Sequence, residues 1–309
     1  MRSLIIAGLI ATSFAATAIA ATPAKPADLR QQRTVPSASL KDLSADFIEF
    51  YEKANAAKPG NSTESDSDRR WNLYKQIYNF QLPQTEAETR ASLESAWPRY
   101  ASLIKDLEIG FDAITPKPLS MVNILNSAMI CQRPLKLHFV AYVGSFQNRV
   151  WAQEKGDSIE VNIPLETPGE ERTLAVARVL SRAVYNASSN WQAGQPRNFA
   201  EFMIGEGVVL HGMRETLSGR KLDALLGVTP EQLQKLEASR KSIAKQFAGK
   251  LTATSFAELQ SGEKLIEARY LGYLLVEGQL KKVALADLLR QAPSDLAKGL
   301  EVPVGKFAL

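Results

Sequence analysis

Apolar residues recur at helical spacing over most of this chain and alternate in one short central region. In "LSADFIEFYEKANA", Phe47, Ile48, Phe50, Tyr51 and Ala54 mark an amphipathic helix, stopped by Pro59-Gly60 and followed by the polar tract "NSTESDSDR". Trp71, Leu73, Tyr74, Ile77 and Tyr78 predict a second helix ending near Pro83. Thr85-x-x-Glu88 reads as a capping box for a third, which runs toward Ile109 and is expected to kink or break at Pro98. Residues 119–131 predict a further short helix. The period then changes. Leu135, Leu137, Phe139, Ala141 and Val143 alternate along one face of a strand, and "NRVWAQ" and "SIEVNIP" read as short strands joined by a turn at Gly156-Asp157. Helical signals return after Pro168 with "GEERTLAVARVLSRAVYNAS", acidic at its start as the helix dipole favours. Residues 198–217 predict the next helix. Thr229 caps another with Pro230 at its first position, and 263–292 predict the last helical stretch, interrupted near Gly278.

Helices, a small sheet and helices again predict an α+β fold without internal repeats. The first twenty residues stand apart from it. Arg2, the apolar run "LIIAGLIATSFAATAIA" and the small residues Ala18-Ile19-Ala20 have the form of a secretory signal peptide, so residues 1–20 are expected to be removed and the protein to be periplasmic or secreted. Residues 21–38 are rich in Pro and Ala and read as a flexible lead-in. A single domain is expected over 39–309. Its parts are a helical flank at 39–132, the sheet and the two helices after it at 133–222, and a C-terminal helical part at 223–309.

Composition narrows the function classes. The chain has 309 residues, 45% apolar and 23% charged, enough for a sizeable core. Its formal net charge of +4 includes Arg2 of the leader, and lysines and arginines are interspersed with acids, so no nucleic-acid partner is expected. No segment after the leader approaches the roughly 18 apolar residues of a membrane span, and none is expected. Cys131 is the only cysteine, which excludes an internal disulfide and reads as a buried, inert thiol. There is no Gly-x-Ser-x-Gly elbow and no Gly-rich phosphate loop. The four tryptophans, Trp71, Trp97, Trp151 and Trp191, are scattered and read as packing residues.

The order of segments from 134 to 216 resembles that of a gluzincin, a zinc peptidase built on a small sheet, a helix with two histidines one turn apart, and a later helix carrying a glutamate ligand. "DFIEFYEKA", "PLKLHFVAYV", "NFAEFMIGEGVVLHG" with its Glu206-Gly207 step, and "EARYLGYLLVEGQLKKVALADLL" with Tyr270 and Gly272 together resemble the secreted, zincin-like family of predicted zinc-dependent proteases. The resemblance covers most of the mature chain and implies a zincin-like fold, with a small mixed sheet packed on an active-site-type helix and helical flanks on either side. It sets "LSRAVYN" at the end of the catalytic-type helix, so that Arg178-Val179-Leu180-Ser181-Arg182 fall on the five-residue metal motif. Arg178 and Arg182 then occupy both histidine slots, Val179 the general-base slot and Glu206 that of the third ligand, 24 residues beyond Arg182.

Those replacements remove the chemistry. A guanidinium has no lone pair for zinc, and Val179 cannot accept a proton from water. No metal or other cofactor is expected. Neither histidine rescues a site: His138 lies on a strand, while His211 and Glu206, five residues apart, point about 140° apart on a helix. Without a dication, Glu206 needs a counter-charge, and the spacing of Arg178 and Arg182 predicts that at least one of them contacts it. The competing expectation is an ordinary helix: Arg178, Ser181, Arg182 and Tyr185 fall at i, i+3, i+4 and i+7 and would form a solvated stripe, with Glu206 a surface acid. The resemblance implies a catalytically inactive metallopeptidase-like protein of the bacterial envelope. It would hold an extended peptide or an envelope protein along an edge strand at Ile159, Val161 and Ile163. The alternatives are a metal-independent envelope hydrolase using Glu206 and a structural envelope protein without a ligand cleft.

Overall fold

The computed structural model describes residues 34–56, 63–147, 149–189 and 196–291. The chain is α+β, and a four-stranded mixed sheet lies among helices. Residues 1–20, most of the lead-in and Trp191 lie outside the described residues.

The chain enters the sheet where a flexible lead-in and then helix were expected. Strand β1 (Ser37–Asp42) is solvent-exposed along its whole length and pairs in parallel with β2 (Lys136–Tyr142). "SASLKD" carries one large apolar residue, Leu40, which is exposed, so no alternating pattern announces this strand. Helix α1 (Ser44–Asn55) follows at once and buries Phe47 and Phe50. Helix α2 (Asp66–Leu73) continues into a π-helical turn, Tyr74–Tyr78, that ends at Asn79 in the left-handed region. The Thr85–Glu88 capping box opens α3 (Glu86–Tyr100). Pro98 does not break this helix in its middle. It falls in the last turn, so the helix gives up only the bond to the Glu94 carbonyl and ends soon after. Short α4 (Ile104–Leu107) and α5 (Pro118–Met129), with Pro118 at its first turn, complete this flank.

The aromatic residues of the flank form one apolar assembly. Phe47 meets Tyr78 and Tyr100 edge to face, Phe50 meets Tyr74 and Trp97, and Trp71 stacks on Tyr74. Phe80 stacks on Tyr142 of β2 at 4.2 Å between centroids, tying the helical flank to the sheet.

Strands β3 (Trp151–Lys155) and β4 (Ser158–Pro164) form the expected hairpin, with Gly156 at φ 62° in its turn. The strand order is β1-β2-β4-β3, with β2 and β4 parallel and β3 antiparallel to β4. β4 is therefore an interior strand. Leu137, Phe139 and Ala141 are buried as the alternation predicts, but Val140 and Tyr142 are buried too, because β2 is covered on both faces.

Helix α6 (Gly169–Ser188) packs on β4, α5 and α7 (Phe199–Thr216). After α8 (Leu222–Leu226), helix α9 (Pro230–Ala248) starts with Thr229 and Gln232 in a second capping box. Helix α10 (Gly262–Leu280) runs through Gly278 without interruption, and the break comes after Leu280, before α11 (Leu285–Leu288). Helices α7 and α10 cross with their backbones in contact. A Cβ on Gly207 would lie 2.1 Å from the Gly272 carbonyl oxygen, and one on Gly272 would lie 2.0 Å from that of Met203. Only glycine permits two helix backbones to cross this tightly.

Candidate functional site

Helix α7 is buried around nearly its whole circumference, as a helix enclosed by others must be. Glu206 sits in its middle and is only 3% exposed, so it is not a surface acid. A charge this deep is tolerable only if compensated. Three guanidinium groups do so. Arg182 donates from Nη2 to Oε1, Arg269 donates from Nε to Oε2 at 2.7 Å, and Nη1 of Arg178 lies 3.7 Å from Oε2.

Each arginine arrives for a local reason. Arg178 and Arg182 are one turn apart on α6, whose opposite face buries Val176, Ala177, Leu180 and Val184. Arg182 passes over Gly205, where an added Cβ would meet Tyr185 Oη at 3.3 Å and Arg182 Nη1 at 3.5 Å. Arg269 lies one turn before Gly272, so the glycine crossing of α7 and α10 that brings Gly272 against Gly207 also delivers Arg269 to Glu206. Arg178 is further anchored by donating from Nη2 to the Leu225 carbonyl at 2.7 Å, while its buried Nη1 has no hydrogen-bond partner among the described residues.

The charges act on one another as their separations require. Burial pushes the Glu206 carboxyl upward, but Arg182, Arg269 and Arg178 together outweigh it and hold the group below its ordinary value of 4.5. Burial, then repulsion from Arg269 and Arg182, brings Arg178 down to about 10 against the opposing pull of Glu206, which leaves it charged at neutral pH. With both oxygens engaged by guanidinium groups, Glu206 is a fixed anion, poorly suited to accept or donate a catalytic proton.

The predicted positions thus separate. Arg178, Arg182 and Glu206 come together. Val179 is half-buried against the core beside them and makes no part of the ionic cluster. Arg269 was not singled out in the sequence, where its place within "IEARYLGYLLVEG" was the available sign: a lone arginine among apolar residues needs a buried partner. The donor set does not fit zinc, for one carboxylate and three guanidinium groups offer a single ligand. Among the described residues there is no group of three or more His, Cys, Asp or Glu that could hold a metal ion.

The expected peptide-binding strand needs correction. Ile159, Val161 and Ile163 lie on β4, whose backbone pairs with β2 on one side and β3 on the other. Val161 and Ile163 are fully buried, so these residues pack the core and their strand has no edge to offer. The edges of the sheet are β1 and β3. The histidines have other roles. His138 is exposed and bonded to Ser39 across the β1–β2 pair. His211 is buried and lies flat on Tyr273, with Nε2 facing the Tyr273 carbonyl at 3.2 Å. Burial lowers its pKa below 6.5. Its acidic neighbour is Glu277 of α10, at 3.5 Å, while Glu215 is exposed. Cys131 is buried, and burial raises its thiol pKa, which suits an inert group. Among the described residues no helix is long and apolar enough to cross a membrane.

No family model, no curated protein and no solved structure matches this chain.

Proposed function

We propose that this protein is a zincin-like, metal-free and non-catalytic relative of secreted zinc peptidases that holds a peptide or protein partner in the bacterial envelope. The observation that carries the reading is the Arg178–Arg182–Glu206 contact. A pair of side chains one turn apart on the helix after the sheet converges on a glutamate of the next helix, as a metal-binding pair and its third ligand would. The antiparallel edge strand β3, followed by β4 and then α6, agrees with the same scheme. The leader-like opening of the sequence supports a periplasmic or secreted location. Since β4 is interior, β3 is the strand that would add an extended partner by backbone pairing. The fixed, triply paired Glu206 speaks against a hydrolase built on that carboxylate.

Metal analysis of the purified mature chain, with a peptidase assay before and after chelation, tests the first half. We expect no stoichiometric zinc and no chelator-sensitive activity, and stoichiometric zinc with chelator-sensitive peptidase activity would refute the reading. Photo-crosslinkers placed at Gln153 and Glu154 of β3, with one at Lys245 of α9 as control, test the second half in intact cells. A defined adduct from β3 alone is expected, and identical patterns from both places would remove the edge-strand partner.

A further inference from the structure

The ionic cluster does not balance. Arg178, Arg182 and Arg269 bring three positive charges, and Glu206 is the only acidic side chain within ion-pair distance of any of them among the described residues. The nearest comparable acid on α7, Glu201, is already engaged by Arg197 through paired hydrogen bonds at 2.8 and 3.1 Å. A surplus of two positive charges held this close is unfavourable, and the mutual repulsion among the arginines is the electrostatic sign of it.

The surplus is also reachable. The Glu206 side chain is 5% exposed, whereas those of Arg182, Arg178 and Arg269 are 36%, 25% and 21% exposed. The carboxylate therefore lies beneath three partly exposed arginine side chains, of which Arg182 is the most open, while Nη1 of Arg178 is buried beside Glu206. Each guanidinium has five N–H donors. Arg182 and Arg269 each spend one on Glu206, and Arg178 spends one on Leu225. Converging forks with unspent donors are the arrangement that recognises planar or tetrahedral oxyanions.

We infer that the Arg178–Arg182–Arg269 cluster is a binding site for an oxyanion, a carboxylate or a phosphate group, which adds above Glu206 as the second negative charge of the cluster. The inference goes beyond the peptide reading, since it rests on charge and exposure and stands even if β3 pairs with nothing. A carboxylate of a peptide and a free phosphate share the chemistry, and the test separates them.

The full mature chain is titrated calorimetrically with inorganic phosphate, with acetate and with a short peptide in free-acid and C-terminally amidated forms, all at one chloride-adjusted ionic strength. Saturable binding of phosphate or of a carboxylate is expected. It should weaken about tenfold or more in Arg182→Gln and in Arg269→Gln, the loss of one charge-assisted contact. Glu206→Gln should shift it the other way, toward tighter binding, because the competing internal anion is gone. Lys241→Gln with Lys245→Gln on α9 should leave it unchanged. Preference for phosphate identifies a phosphate site, and preference for the free-acid over the amidated peptide identifies a carboxylate site. No saturable binding of any probe by the wild-type chain would overturn the inference, as would equal binding by the arginine variants, or equal weakening in the lysine control. Arg182→Lys, which keeps the charge without the fork, covers the case in which a glutamine variant fails to fold: binding as tight as wild type would show that no fork is used.

Discussion

Glu166, just after β4, and Glu206, in the middle of α7, are comparably buried at 7% and 3% exposure, yet their carboxyl groups are displaced in opposite directions. Glu166 is solvated by dipoles: it accepts backbone N–H bonds from Gly144 at 2.9 Å and Phe146 at 3.3 Å. Burial pushes it above its ordinary 4.5, and those amides, with Arg172 nearby, only partly offset the shift. Glu206 is solvated by three cations and is held below the same value. Amide dipoles can stabilise a buried carboxyl in either protonation state. Guanidinium groups require the anion, so the α6–α7–α10 junction depends on a charge that the sheet end does not.

The largest effect should come from removing that charge. Glu206→Ala leaves three clustered arginines with no anion and is expected to cost about 3–5 kcal/mol in chemical denaturation. The pH dependence should follow the same logic. Because the folded Glu206 carboxyl lies below 4.5, its stabilisation is complete above that pH and is lost as pH falls through the folded value. A variant without Glu206 should lack that part of the acid-side loss.

Geometry can be broken without touching a charge. Gly272→Ala would drive a methyl group into the Met203 carbonyl, separate α10 from α7 and withdraw Arg269 from Glu206. A loss of about 3 kcal/mol is expected from the denaturation midpoint. A cost below about 0.5 kcal/mol, that of an ordinary surface change, would mean that the crossing is not tight.

Removing one of the three cations should do less, because two remain. Arg269→Met, which keeps much of the apolar stem, is expected to cost about 2 kcal/mol by the same measurement.

The smallest effect should be at the other carboxylate. Glu166→Gln is expected to change stability by only about 1 kcal/mol near neutral pH, since the amide oxygen can keep the shorter backbone bond, from Gly144, and only the longer one from Phe146 is lost. The sign at Glu166 is the reverse of that at Glu206. With its folded value raised, its contribution is fully present below 4.5 and is lost as pH rises through the folded value. The glutamine variant should therefore lack that loss, and a pH profile identical to wild type would show that Glu166 does not titrate in this way.

Much of the fold was legible because its signals are local. Thr85 with Glu88 and Thr229 with Gln232 cap helices where their spacing announces it, and Gly156-Asp157 turns the hairpin. The candidate site was legible in part. Arg178, Arg182 and Glu206 could be joined because the helix period relates the first two and a buried acid needs a cation. Arg269 was not, for its link to Glu206 passes through a contact between glycines 65 residues apart, Gly207 and Gly272, and backbone proximity has no periodicity to read. Strand β1 was missed because an exposed edge needs no apolar alternation, and its hydrogen bonds come from a strand about a hundred residues away.

By itself, then, the sequence determined the α+β class, the helices and their caps, the hairpin, and the unsuitability of this residue set for zinc, all of which depend on residue chemistry and short spacings. The tertiary structure decided which strand is interior, which arginines share Glu206 and how much of each faces solvent. Those properties arise only when distant segments exclude water from one another, and the strength of each charge there is set by what surrounds it.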